Sequence, residues 1–380
     1  MTREESLKML GFFLFGGLLM AALYFDVFSP KFWKETWPKA QGWIQEHHTW
    51  LLIGGLSSLA LILALVIGVV LLHRARWQAI QDRVAAGPTF LLLPRSDWRP
   101  IVPDKVNLWA RLADALPHDE HVSFEIAGSD TEACFAIHGS EEGVRAALTQ
   151  IKAEWPGVQR RPVQPDLAAV PDGWSVFWVE LRPSSWREPI ISLADDPLRP
   201  VLVEVNGVVG RGRGLVQVIA RNDFGTRARL GKAAFTARAA QTKNAGVRAI
   251  QTKQARSLEE RAERAFLQVT LRCVGIADTQ ERAEGIARGL ARAVSSTYGH
   301  KNPVKPVRSG RDPKPVLERR MSRRSQAWTD DELSTLAHLV GSDMLNVAPR
   351  LKTASAKSLP PDPEMRILPT DITAKFAEAA

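Results

Sequence analysis

The run from Trp50 to Leu72, WLLIGGLSSLALILALVIGVVLL, holds no charged side chain. As a helix it is long enough to cross a hydrocarbon core about 30 Å thick. A core helix of that length normally shows a polar stripe, and this one shows none. The run reads as a membrane span, so the remaining residues must be divided between the two sides of a bilayer.

A second apolar run, Met9–Phe28, lies ahead of it. No small-x-small cleavage site follows, so an uncleaved helix is expected rather than a signal peptide. Gly17 and Ala21 in the first run and Gly54 and Ser58 in the second are small-xxx-small pairs, which allow close helix packing. Residues 1–86 are therefore expected to form a membrane hairpin with spans at about 9–28 and 50–72. Its connecting loop carries the interfacial indoles Trp33, Trp37, Trp43 and Trp50. Arg3, Lys8, Arg74, Arg76 and Arg83 flank the outer ends, against Lys31, Lys34 and Lys39 in the loop. That bias predicts a multi-pass protein of the cell membrane with both termini and the bulk of the chain in the cytoplasm.

The rest reads as an α+β protein. Residues 87–104 are rich in proline and are expected to be a tether. A cytoplasmic α+β sandwich is expected over 105–300. It would begin with a helix at Leu108–Leu116, strands at His121–Ala127 and Ala133–His138, a Ser140-capped helix to Trp155 and a return strand at Val158–Val163. Trp174–Leu181, Pro200–Val205 and Leu215–Arg221 supply further strands. Thr226–Ala265 has no proline and favours one long helix. Phe266–Gly275 is again a strand, and Asp278 is expected to cap a helix that runs to Tyr298. The stretches ACFAIHGSEEGVRAALTQIKAEWPG and FLQVTLRCVGIADTQERAEGIARGLARAVSSTYG share an order of strand, cap and amphipathic helix, a weak βα repeat. Residues 301–327 are expected to be a basic disordered linker. A short helix with Thr329 and Glu332 in capping-box positions, then an extended tail, would occupy 328–380.

The net charge is +9, and it is local. Between Asn206 and Arg256 a single acid, Asp223, stands among many Lys and Arg. Arg227, Arg229, Lys232, Arg238, Lys243, Arg248, Lys253 and Arg256 would line the long helix over roughly 45 Å, with no Asp or Glu between them. That pattern suits phosphates of DNA, anionic lipid headgroups or an acidic protein. A solvated helix face is the plainer alternative.

Other chemistry is sparse. Cys134 and Cys273 sit apart in strand-like runs and read as buried thiols. His47-His48 and His118/His121 lack further ligands at metal spacing. Gly207–Gly214 lacks the dinucleotide spacing. Gly225–Ala233, GTRARLGKA, has five residues between its glycines where a P-loop has four, and Ala where a hydroxyl must hold magnesium. No metal and no cofactor is expected, and the chain is not expected to be an enzyme.

Several phrases together resemble a known family. They are the hairpin, LWARLADALPHDEHVSFEIAG, a helix ending in WPG, and FLQVTLRCVGIADTQERAEGIARGLARAV after a basic helix. They are similar to the N-terminal membrane and α+β region of conjugation-type ATPases, the HerA/FtsK-like motors of type IV secretion and DNA transfer. In that family a tail like DDELSTLAHL…LPPDPEM leads into the motor. This sequence stops at Ala380 without the ATP-binding loop, so no ATPase residue is carried over. The resemblance implies a membrane-anchored scaffold or adaptor of a DNA-transfer apparatus, docking a motor ATPase or its substrate within a complex or oligomer. A membrane-tethered nucleic-acid-binding protein that uses the basic helix is the alternative.

Overall fold

In the computed structural model, residues 37–98, 106–117, 119–163, 165–192, 196–239, 245–299 and 301–354 are described, with side chains from Leu61 onward except at 245, 246 and 248. The chain divides into two compact units, Met1–Arg76 and Trp77–Ala380. In the first unit the described structure is helical. Helix α1 runs Trp37–Ala85 and contains the expected span at 50–72. Among the described residues it is the one helix long and apolar enough to cross a membrane, by its segment Leu61–Ala85. The other expected span, 9–28, lies outside the described residues, so a multi-pass hairpin is not shown. Trp37, Trp43 and Trp50 are in α1, not in a loop. Pro38 sits at the helix start, where its missing N–H costs nothing, and no later residue breaks the helix.

The second unit is α+β, built on a nine-stranded antiparallel sheet. Its elements fall into two successive βαββαβ sets. The first is β1 (Thr89–Leu93), α2 (Leu108–Ala115), β2 (His121–Ser129), β3 (Ala133–Gly139), α3 (Glu141–Glu154) and β4 (Gln159–Pro162). The second is β5 (Ser175–Pro183), α4 (Leu198–Asn206), β6 (Gly212–Asn222), β7 (Phe266–Ala277), α7 (Gln280–Ser296) and β8 (Val304–Gly310). Across the sheet the strands run β4-β1-β3-β2-β6-β7-β5-β8. Each set thus has the order fourth, first, third, second, the split βαβ arrangement of ferredoxin-like folds. The sets join edge to edge through β2 and β6, from His121↔Arg221 to Ser129↔Arg213. The βα repeat visible in the sequence is the second half of each module.

One face of the sheet is apolar throughout. Phe124, Ile126, Phe135, Ile137, Val216, Val218, Leu271 and Cys273 alternate along four central strands. Trp109 and Leu112 of α2, Val144 and Ile151 of α3, Val201 and Val205 of α4, and Leu290 and Val294 of α7 pack into the same core. Ser140 caps α3 through a 3.0 Å bond from the Gly143 N–H, as expected. Thr279, not Asp278, caps α7; Asp278 instead pairs with Arg282 one turn on. Both thiols are free and buried, and burial pushes Cys134 up to about 12.

The other face carries a row in register that is apolar at Leu91 and Ala136 and polar from Glu125 through Gln217 and Arg272 to Glu180. Helix α8 (Lys314–Leu317) and the residues after it lie over this row as a strap. The Arg272 guanidinium donates to Glu180 at 2.9 Å and to the carbonyls of Pro315 and Arg320 at 2.8 and 3.0 Å. Arg319, in the left-handed region at φ 45°, donates to both Glu125 oxygens and to Asp166. Strand β9 (Gln326–Thr329) pairs with the first residues of β7, and α9 (Asp330–Ser334) follows. Its capping box of Thr329 and Glu332 forms as expected.

Several expectations are overturned here. Residues 87–104 are not all tether, because Thr89–Leu93 pairs with both β3 and β4. Pro200–Val205 lies in helix α4, since Leu198, Val201, Leu202 and Val205 recur at helical spacing toward the core. The 301–327 stretch is ordered as β8, the strap and part of β9, held by Arg272 and Arg319, whose partners are remote in sequence. Its basic composition still serves at the rim. Lys305, Pro306 and Arg308 on β8, like Arg160 and Arg161 on β4, discourage pairing with another sheet edge.

Candidate functional site

The single long helix expected over 226–265 is instead two helices, α5 (Thr226–Ala239) and α6 (Ala245–Ala262), packed on one another. They occupy the β6–β7 connection of the second module. At ~1.5 Å per residue they span only about 21 and 27 Å, so the basic residues are gathered onto a hairpin rather than strung along a rod.

The hairpin is fixed at its base. Leu230 and Ala234 of α5 and Leu258 of α6 pack with Phe266 and Ala327. Arg261, near the end of α6, pairs with Glu332, and both are buried. Glu332 also accepts from the N–H of Ile190 at 2.7 Å and of Thr329 at 2.8 Å. One carboxylate therefore ties together α6, α9 and the segment after β5.

That segment forms the opposite wall of a cleft of about 520 Å³, lined by Trp186 and Arg187 from the segment, Arg229, Lys232 and Thr236 from α5, and Gln254 from α6 among others. No carboxylate is among its lining residues. The guanidiniums of Arg187 and Arg229 each lie 5.2 Å from the Trp186 ring centroid. Arg229 donates one N–H to the Thr226 hydroxyl; a guanidinium over an aromatic face can offer its remaining N–H groups to an oxyanion. The segment is held in shape by Asn302, itself buried. Its amide accepts from the Ser185 N–H at 2.8 Å and donates to the carbonyls of Ser185 and Glu188 at 2.8 and 2.7 Å.

The eight expected residues fare differently. Arg229 and Lys232 line the cleft. Arg238 pairs with Glu259 and Arg256 with Glu260 at 3.0 Å, so the acids beyond the run answer two of its cations. Arg229 lies 3.8 Å from Asp223. Arg227 and Lys253 are exposed on the hairpin. Lys243 lies outside the described residues, as does the side chain of Arg248. Sequence reasoning missed Trp186, Arg187 and Asn302, which lie far from the basic run and reach it only through the fold.

The start of α5 bears on the rejected Gly225–Ala233 loop. A strand, β6, precedes it directly. The Asp223 carboxylate, however, accepts from the Gly225 and Thr226 N–H groups at 3.0 and 3.1 Å. The protein's own anion thus holds the position that a phosphate would need.

No protein-family model matches the chain, and no curated protein matches it. Among solved structures, one match is 6-hydroxy-D-nicotine oxidase from Arthrobacter nicotinovorans, at 16% identity and a TM-score of 0.27, covering 57% of this chain and 44% of that one. The chain spans less than half of that structure's length. That structure is an enzyme, against the expectation that this chain is not one, and the expectation is not carried further. At that TM-score the likeness supports no statement about fold, cofactor or reaction.

Proposed function

We propose that the chain is a membrane-anchored adaptor of a DNA-transfer apparatus and that its α5–α6 hairpin holds the nucleic acid. The observation that carries this reading is the cleft at the hairpin's base, where Arg187, Arg229 and Lys232 meet around Trp186 with no carboxylate in the lining. Cations grouped without acids form an electrostatic footprint for phosphates. The resemblance to the N-terminal region of conjugation-type ATPases supplies the transfer context, and a separate motor ATPase is the expected partner. Exposed Phe235, Val247 and Ile250 on the same hairpin offer that partner apolar contact beside the basic residues. The membrane part of the reading is α1 paired with a second span at 9–28, with the second unit in the cytoplasm. A reporter active only in the cytoplasm should work when fused after Arg83 and fail when fused at Gln41; the reverse would overturn that orientation.

Binding is tested through its salt dependence. Full-length protein in detergent should bind DNA without sequence preference, and log affinity should fall linearly with log salt. Replacing Arg227, Arg229, Lys232 and Lys253 with Gln should flatten the slope by about 3 units, at ~0.7–0.9 for each phosphate no longer neutralised. Wild-type protein that binds no DNA at low salt overturns the nucleic-acid reading.

A further inference from the structure

The cleft holds more than charge. A surface meant only for a duplex backbone needs cations at phosphate spacing and has no use for an aromatic ring, because paired bases show only their edges in the grooves. Here the cations converge on an indole. Trp186 is half-buried at the cleft wall, packed against the apolar cluster at the hairpin's base, and the guanidiniums of Arg187 and Arg229 lie over its ring. On the facing helices Thr236 adds a hydroxyl that donates to the Lys232 carbonyl and can still accept, and Gln254 adds an amide able to do either.

The wall carrying the indole is rigidly built. Asn302 makes three hydrogen bonds to the backbone of Ser185 and Glu188, on either side of Trp186 and Arg187. Ser184 adds a bond from its N–H to the Pro303 carbonyl at 3.2 Å, and the Ile190 N–H is held by Glu332. A loop that merely connected β5 to α4 would not need a buried amide spent on its shape. Pre-organisation of this kind lowers the ordering cost of binding.

From this geometry we infer that the cleft takes a nucleotide with its base unpaired, the base stacked on a guanidinium plane that the Trp186 indole backs and the phosphate held by the N–H edges of Arg187 and Arg229 and by Lys232. Asn302 is a positioning residue that keeps Trp186 in place. The inference rests on the nucleic-acid reading and narrows it to the class of ligand. Stacking is tolerant of sequence because every base has a π-face, so no base preference is expected. The same chemistry is offered by a nucleotide within a single strand and by a free mononucleotide.

The experiment compares labelled oligothymidine, a duplex of equal length and free thymidine monophosphate as a competitor, by fluorescence anisotropy on full-length protein in detergent. The single strand should bind more tightly than the duplex. Trp186→Leu should weaken single-strand binding by about tenfold, the scale of one lost base stack, and leave duplex binding within about twofold; Trp186→Phe should restore most of the loss. Asn302→Ala should lower single-strand affinity in the same selective way. Competition by the monophosphate at equal nucleotide concentration identifies the free nucleotide as the ligand, and its failure identifies the strand; both support the inference. Equal loss on strand and duplex in Trp186→Leu, or no loss on either, overturns it while leaving the polyanion reading intact. Wild-type protein that binds none of the three overturns both.

Discussion

The two βαββαβ modules share strand order, helix placement and a common apolar face, yet they differ in two places. The first closes its second and third strands with a short turn at 130–132, where the Ser129 N–H meets the Glu132 carbonyl at 2.7 Å. In the second module the same connection is opened by the α5–α6 hairpin at 223–265. On the strap side of the sheet, the row that is Leu91 and Ala136 in the first module continues as Arg272 and Glu180 in the second. The apolar face has no such freedom, because one core serves both modules and α2, α3, α4 and α7 all dock on it. The modules differ where the fold tolerates it, at one hairpin tip and one covered face, and the candidate site stands on the first of these.

The most severe test of this comparison concerns the ionic row. Arg272→Met alone strands the Glu180 carboxylate and leaves the Pro315 and Arg320 carbonyls without their donor. The expected loss is about 3–5 kcal/mol by denaturant unfolding. Giving the second module the apolar character of the first, with Arg272→Met and Glu180→Leu together, should recover most of it. A double variant no better than the single would show that the row does more than anchor the strap.

Acid should expose the next largest difference, located in the first module. His138 bonds to the Val84 carbonyl and to Thr89, and His121 to the Arg319 carbonyl, all beneath the strap. Burial lowers His138 to about 4, with the Arg319 guanidinium adding to the effect, and lowers His121 to about 3. Above pH ~6.5 neither folded nor unfolded chain protonates these rings, and the pair carries no penalty. As pH falls from there the unfolded chain takes up protons that the folded chain refuses, so stability declines down to the folded values. For His138 the loss is on the order of 3 kcal/mol by pH 4. Urea unfolding at pH 7.5 and 4.5 measures it, and His138→Gln should flatten the trend.

Each module also has a glycine near the end of its third strand. A Cβ at Gly275 would run into the backbone carbonyl of Ala283 in α7, whereas one at Gly139 would sit 3.2 Å from the Val122 side chain and 3.3 Å from the His121 carbonyl, tight but not overlapping. Gly275→Ala should therefore cost about 2–4 kcal/mol, and Gly139→Ala roughly 1 kcal/mol or less. Equal costs in thermal melts would mean that the two helices sit on their strands alike.

The first module was largely legible in the sequence because its signals are local. The Ser140 cap, the alternation in HVSFEIA and ACFAIH, and the Pro156-Gly157 stop all lie within a few residues of what they specify. The second was harder to read for a physical reason. Pro200–Val205 is rich in β-branched residues, and only its burial against α7 and β2 makes it helical. The strap looked disordered because Arg319 is neutralised by Glu125 and Asp166, far away in sequence. The basic run was visible, but its fold-back was not, and neither was Trp186, which joins Arg229 only in three dimensions.

The smallest effect on stability bears most directly on what the hairpin is for. Arg227, Lys232 and Lys253 are exposed, and no ion pair is found for them among the described residues, whereas Arg261 at the base is buried against Glu332. If the cations were structural, the base would be the place for them, and Glu332→Leu should destabilise strongly by leaving Arg261 uncompensated. These exposed cations should be neutral to folding. Arg227→Gln, Lys232→Gln and Lys253→Gln combined should shift unfolding by no more than about 0.5 kcal/mol, as surface substitutions commonly do. The same triple variant should bind DNA at low salt more weakly by tenfold or more, since three phosphates, at ~0.7 log units of salt dependence each, would go unneutralised. Stability falling together with binding would make the charges part of the fold; stability kept while binding falls separates the buried Arg261–Glu332 pair, which holds the hairpin to the sheet, from the exposed cations, which meet a partner.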